Sequence, residues 1–293
     1  MDYSWVTFAN ALLLGLSIGS IWLIAALGLT IIYGTAGVIN MAHGELIMLG
    51  AYSAYCLQTY LGVSYLLCIP LSFVIVALFG LVIERVLIRY LYARPLDTLL
   101  ATWGVSLVLM QGVRMIFGND PKYINMPQFL SSNVSFGPLS LSAFRILIIA
   151  MTAVLVGAFW YVFYRTHFGI KIRAVTQNKE MAASFGINSQ RIYMLTFALG
   201  AGLAGLAGSL FAALSIVLPN MGTGYIVQSF LVVVTGGGSL LGSVAAGALT
   251  GEIQSVLAYL INDTFARFML FILIVVFLRF RPQGLFSAGA TRR

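Results

Sequence analysis

Charge is what this chain has least of. Asp, Glu, Lys and Arg make up 8% of its 293 residues, where a soluble domain carries about 25%. With 60% apolar residues and a mean hydropathy of +0.99, that scarcity excludes a water-soluble globule. Cysteine is almost missing as well. Cys56 and Cys68 stand in apolar segments without C-x-x-C spacing, so no disulfide framework is available and both read as small buried hydrophobes. Histidine is equally sparse: His43 is two residues from Glu45 and His167 is isolated, which gives no H-E-x-x-H or other zinc spacing. The glycine run GGGSLLGS lacks the Lys-Ser/Thr that closes a phosphate-binding loop, so the chain has no ATPase site of that kind. No constellation of an enzyme is legible, and no metal or cofactor is expected within the chain. A basic n-region is also missing from the start, MDYSWVTFAN, so the first apolar segment reads as a retained span rather than a cleavable signal. No period of 20–50 residues marks a solenoid.

What is present is a succession of apolar segments, each long enough to cross a hydrocarbon core about 30 Å thick as a helix. They fall at roughly 8–33, 45–61, 64–87, 98–117, 144–164 and 191–217, followed by a composite region from 226 to 280. The expected fold is all-α: one polytopic transmembrane bundle over 1–293, with about eight or nine membrane segments, some broken or re-entrant.

The formal net charge is +8, and its placement decides what it means. Arg85, Arg89 and Arg94 form one cluster; Arg165, Lys171, Arg173, Lys179 and Arg191 a second; Arg279, Arg281, Arg292 and Arg293 a third. Twelve of the sixteen basic residues in three connections is the positive-inside pattern, which puts those connections in the cytoplasm. Residues 118–143 hold only Lys122, offset by Asp120, and face the other side. No soluble basic domain exists to bind nucleic acid. If the N-terminus is outside and the tail inside, an odd number of crossings must follow residue 219. The region 226–280 therefore reads as a half-helix at 226–236, then spans at 241–261 and 264–280.

Glycine supports the unusual element. IVQSFLVVVTGGGSLLGSVAAGALTG sets Gly236, Gly237 and Gly238 where a helix loses roughly 1 kcal/mol per glycine relative to alanine. A second break lies in YGTAGVINMAHGELIMLGAY, around Gly34, Gly37, Asn40 and Gly44. Paired, glycine-interrupted segments mark the central pathway of many transporters, because irregular backbone at membrane depth must be buried in protein or line a cavity. Small residues also recur four apart, at Ala11, Gly15 and Gly19, at Ala201, Gly205 and Ser209, and at Gly247 and Gly251, which suits close helix packing. Glu45, Gln111, Arg114, Glu252, Asp263 and Arg267 fall at membrane depth. Arg114, Asp263 and Arg267 sit near span ends, where snorkelling or internal pairing accounts for them; Glu45 and Glu252 adjoin broken segments and invite a functional reading.

One interior segment, KIRAVTQNKEMAASFGIN at 171–188, is too polar for the bilayer. Ala174, Val175, Met181, Ala182 and Phe185 repeat at helical spacing opposite Lys171, Lys179 and Gln190. Asn178 reads as an N-cap and Gly186 as the C′ residue of a short cytoplasmic helix. Its apolar face is too narrow for a membrane anchor and suits the groove of a partner.

EMAASFG at 180–186 resembles the EAA-type loop of ABC importer permeases, with Glu180, Ala182 and Gly186 matching, Met181 departing and the proline-containing tail absent. IIYGTAGVINMAHGELIMLGAY resembles the N-terminal signature of the branched-chain amino-acid importer permeases, and FLVVVTGGGSLLGSVAAGA their C-terminal one. RPLDTLLATWGVSLVLMQ at 94–111 looks more like the urea-importer branch of that family. The resemblance covers essentially the whole chain. It implies a bacterial inner-membrane complex of two homologous permeases, two cytoplasmic ATPases that bind ATP and Mg, and a periplasmic substrate-binding protein. Within it, Lys179, Glu180, Ala182 and Gly186 of the 165–190 loop form or shape the ATPase contact. Asn40, His43, Glu45, Thr102, Trp103 and Gly236–Gly238 are the candidate pathway residues. Urea is the expected substrate, with a branched-chain amino acid as the alternative; a channel or secondary carrier needs no partner helix at 178–186.

Overall fold

The computed structural model describes residues 5–92 and 94–286; Arg292 and Arg293 of the tail cluster lie outside them. The chain enters as α1 (Trp5–Ala36), α2 (His43–Leu61) and α3 (Tyr65–Val86), then a 3-10 turn (Ile88–Tyr90) and α4 (Pro95–Phe117). Next come a four-residue α5 (Gln128–Ser131), a hairpin of β1 (Asn133–Phe136) and β2 (Leu139–Ser142), and α6 (Ala143–Arg165). α7 (His167–Gln177) and α8 (Lys179–Ser184) precede α9 (Ser189–Leu214), α10 (Met221–Gly236), α11 (Leu240–Leu260) and α12 (Asp263–Phe280). This is an all-α polytopic bundle. Among the described residues, six helices are long and apolar enough to cross a membrane: α1, α3 with its 3-10 extension, α4, α6, α9 and α11. α2 is more polar, α10 is short at sixteen residues, and α12 carries Asp263, Arg267 and Arg279.

The two most buried helices, α1 and α9, form the centre of the bundle, and they are antiparallel. At one end Thr35 Oγ1 lies 3.4 Å from Thr196 Oγ1. At the other, Asn10 accepts from Ser140 N at 3.1 Å, and Val217 exchanges backbone hydrogen bonds with Lys122. Between these ends the two backbones nearly touch: a Cβ on Gly28 would stand 2.3 Å from Gly200 O, and one on Gly200 2.6 Å from Gly28 O. Only hydrogen side chains permit that approach.

Each central helix then breaks and folds back on itself. After residues 37–42, α2 begins beside the middle of α1, where His43 Nε2 meets Ala25 O at 2.9 Å. After residues 215–220, α10 begins beside the start of α2, with Gly44 and Gly222 in reciprocal backbone contact. α2 and α3 pack chiefly along α9, while α10 and α11 pack along α1. The order long helix, break, shorter helix, long helix therefore occurs twice with opposite direction, and Gly28–Gly200 and Gly44–Gly222 lie where the halves meet. This is an inverted repeat of the kind transporters use. The small-residue rows are internal to it: Gly15 and Gly19 meet Gly247 and Gly251, and Gly205 meets Gly50 and Ser72.

Two expectations are revised by the structure. The half-helix starts at Met221 rather than 226, because Gly222 lets a first helical turn press against α2. The cytoplasmic segment is two helices rather than one, since Asn178 ends α7 and caps α8. Within residues 118–143, Gly137, at φ +65°, turns the β1–β2 hairpin, and Gln58 ties Asn125 at 2.8 Å through both ends of its amide.

Candidate functional site

The break between α1 and α2 has no regular backbone partners, so side chains satisfy it. Asn40 Oδ1 accepts from Ala42 N at 3.0 Å, and Thr102 Oγ1 accepts from Met41 N at 3.1 Å while donating to Thr98 O at 2.8 Å. Thr102 belongs to a stripe on α4, Thr98, Thr102 and Ser106, whose four-residue spacing turns all three toward the bundle although most of α4 is exposed. Ser106 Oγ donates to Glu45 Oε1 at 3.1 Å. Glu45 Oε2 lies against Gly222, at the first turn of α10. The carboxylate is thus held at the N-terminal turns of two helices, the end whose dipole favours negative charge.

Asn40, His43, Glu45 and Thr102 are each exposed by 1% or less. Three of their polar atoms have no hydrogen-bond partner: Asn40 Nδ2, His43 Nδ1 and Glu45 Oε2. Because His43 Nε2 donates to Ala25 O, its Nδ1 is a free acceptor. One amide donor, one imidazole acceptor and one carboxylate oxygen are therefore unpaired within six residues, from the break through the first turn of α2. Unpaired buried polar groups cost about 1–3 kcal/mol each, so each of these calls for an explanation. α10 packs against α2 over the junction, which is buried from solvent. Ser106 is the member that sequence reasoning missed; its position four residues after Thr102 was the available signal.

The remaining pathway candidates lie elsewhere. Trp103 is 53% exposed and points outward from α4. Gly236 and Gly237 are packing positions, where a Cβ would meet Gly242 C at 2.6 Å and Gln283 O at 2.5 Å. Gly238 lines a cavity of about 360 Å³ with Thr30, Thr35, Phe163, Arg173 and Ser239, between the end of α1 and α7. Among the other polar residues at membrane depth, Arg267 pairs with Asp263 at 2.7 Å and Arg114 donates to Gln111 at 3.3 Å. Glu252 stands against Gly15 with Oε2 unpartnered. No group of three metal-ligating side chains exists among the described residues.

At the end of the bundle where the basic clusters gather, α8 is capped at both ends. Asn178 Oδ1 accepts from Met181 N at 2.9 Å, Gly186 adopts φ +79°, and Ile187 N returns to Ala182 O at 3.1 Å. Ala182 is buried against Ile172, Val175, Ile192 and Tyr193, so it shapes the helix rather than facing a partner. Lys179 Nζ sits 5.7 Å from the Tyr193 ring centroid, and Glu180 is exposed. Met181 and Phe185, expected on the apolar face offered to a partner, are 61% and 80% exposed. They form the protruding surface, while Val175 and Ala182 of the same expected face are buried within the chain.

The sequence is similar to those of known proteins. The family described as branched-chain amino acid transport system, permease component, matches residues 11–278. The permease protein BraD of the high-affinity branched-chain amino acid transport system of Pseudomonas aeruginosa is 32% identical, over 95% of both chains. LivH of the corresponding system of Salmonella typhimurium is 27% identical over 97% of both. LivM of the same species, also named a permease protein of that system, is 27% identical over 90% of this chain and 67% of its own length. No solved structure matches the chain. From the glycine-broken helix pair to the match across nine-tenths of its length, this chain belongs to the family of branched-chain amino acid transport system permease components.

Proposed function

We propose that the chain is the membrane-spanning subunit of an ATP-driven importer of branched-chain amino acids in a bacterial inner membrane. The match to BraD across 95% of both chains carries this reading. It works beside a second, homologous permease, a pairing supported by the similarity of one chain to both LivH and LivM of a single species. Two cytoplasmic ATPases supply ATP and Mg chemistry, and a periplasmic protein delivers the substrate. α8, capped and carrying exposed Met181 and Phe185, is the contact through which ATP-driven closure reaches the bundle; Lys179 and Glu180 flank it, and Ala182 and Gly186 fix its shape.

The α2–α10 junction is the gate. Asn40, His43 and Glu45, braced by Thr102 and Ser106, offer complementary groups to a zwitterion: the Glu45 carboxylate for its ammonium, and the Asn40 amide and helix N-termini for its carboxylate. The urea reading drawn from residues 94–111 gains no support from the relatives named above, and two of the residues in that stretch, Thr102 and Ser106, serve the Glu45 junction instead. Proteoliposomes holding the complete complex test the substrate. They should accumulate labelled leucine on addition of ATP and binding protein, with urea failing to compete; ATP-driven uptake of urea with leucine ignored refutes the assignment.

A further inference from the structure

The basic end of the bundle contains a pocket that transport, as argued above, leaves unused. It has a volume of about 310 Å³ and is lined by Glu84, Arg85 and Arg89 on one side and by Gln190, Arg191 and Leu195 on the other. Its lining carries three guanidinium groups and one carboxylate, and that carboxylate is already engaged by the Tyr92 hydroxyl at 2.9 Å. Arg85, Arg89 and Arg191 form none of the ion pairs among the described residues, which join Arg94 to Asp97 and Arg267 to Asp263. Arg89 is steadied by stacking 4.4 Å from the Tyr90 ring centroid and donating to the Tyr90 hydroxyl. A cationic pocket beside the N-terminus of α9 calls for an anion.

A second hollow of about 300 Å³ runs between α2 and α3, lined by Leu49, Ile75, Leu78, Phe79 and Val82. At 100° per residue, Ile75, Leu78, Val82 and Arg85 fall within about 80° of one another on α3. The slot and the pocket therefore follow each other along one face of one helix. From Arg85 to Ile75 the helix rises about 15 Å, half of a hydrocarbon core about 30 Å thick, or one leaflet. An anion alone fills the pocket and leaves the slot empty; a molecule with an anionic head and an apolar tail fills both.

We propose that this face holds one anionic phospholipid, its headgroup phosphate on Arg85, Arg89 and Arg191 and an acyl chain in the α2–α3 slot. Because four residues separate the end of α8 from the start of α9, the lipid fastens the helix on which the α8 loop is anchored. The test uses native mass spectrometry of the full chain, purified in mild detergent and offered phosphatidylglycerol or phosphatidylcholine. One phosphatidylglycerol should be retained and phosphatidylcholine lost. Arg85→Gln with Arg191→Gln should lower phosphatidylglycerol occupancy about thirtyfold, the loss expected for two interfacial cations. Val82→Trp, which fills the slot and changes no charge, should also release the lipid, and inorganic phosphate should not displace it. Equal retention of the two lipids overturns the proposal, as does unchanged retention in the Val82→Trp chain. Displacement by inorganic phosphate reassigns the pocket to a free anion. Should the double arginine variant fail to fold, the lipid comparison and Val82→Trp still decide.

Discussion

Glu45 has one carboxylate oxygen bonded to Ser106 and the other turned toward Gly222 without a partner, so each neighbour can be changed with a distinct result. Removing the Ser106 hydroxyl by Ser106→Ala takes away one hydrogen bond to a carboxylate, worth about 1.5–3 kcal/mol, and should lower the melting temperature in detergent while slowing transport. Thr102→Val also destabilises, because it takes the acceptor from half-buried Met41 N, a loss of about 1–3 kcal/mol; Thr102→Ser should restore most of it. A melting temperature unchanged by Thr102→Val contradicts the bracing role. Glycines divide as sharply. A Cβ at Gly44 would lie 2.3 Å from Gly222 O, whereas Gly224 has nothing within 4 Å. Gly44→Ala should therefore destabilise the chain by at least about 1–3 kcal/mol and Gly224→Ala should leave it unharmed, as read by thermal denaturation; equal effects contradict the close approach of α2 and α10.

Among the elements, α8 carries the proposed coupling. Phe185 is 80% exposed, so Phe185→Asp should leave the fold intact while abolishing substrate-stimulated ATP hydrolysis by the reconstituted complex. Gly186→Val forces a branched side chain into a left-handed backbone, costing at least about 1–2 kcal/mol, and should uncouple by deforming the helix end. Normal coupled transport by both variants contradicts the role of α8. The caps of this helix were legible because Asn178 and Gly186 act locally, through a side-chain oxygen and a missing Cβ. The division of the apolar face, with Val175 and Ala182 turned into the bundle and Met181 and Phe185 outward, was not, because a six-residue helix has too few turns to declare its buried side. The start of α10 was hidden for a related reason: MGTGY reads as loop, and only the backbone of Gly44, far away in sequence, explains why a helix begins there.

At the scale of the whole molecule, charge placement and hydropathy made the bundle and its long segments readable, because bilayer thickness and the cost of exposed backbone act on any sequence alike. The inverted repeat escaped, since its contacts are between glycines, which carry no side-chain pattern to compare. The Asn40, His43 and Glu45 cluster was legible as a polar interruption, but its closure against α10 depends on Gly222 and was not. The basic clusters share one end of the bundle with α7 and α8, and the β1–β2 hairpin lies at the other. Single cysteines at 90 and 176, in a chain lacking Cys56 and Cys68, should then resist an impermeant thiol reagent added outside cells, and one at 131 should react. Labelling at 176 contradicts the sidedness and the coupling reading together.

The central claim is that the pathway opens where α2 meets α10. Ser106 is 7% exposed in the closed junction, so Ser106→Cys in the same cysteine-free background gives a reporter at the gate. In the reconstituted complex it should resist a small soluble thiol reagent at rest, react during turnover with ATP and binding protein, and be protected by leucine. Undiminished transport with no labelling at any stage would place the pathway elsewhere and contradict the account.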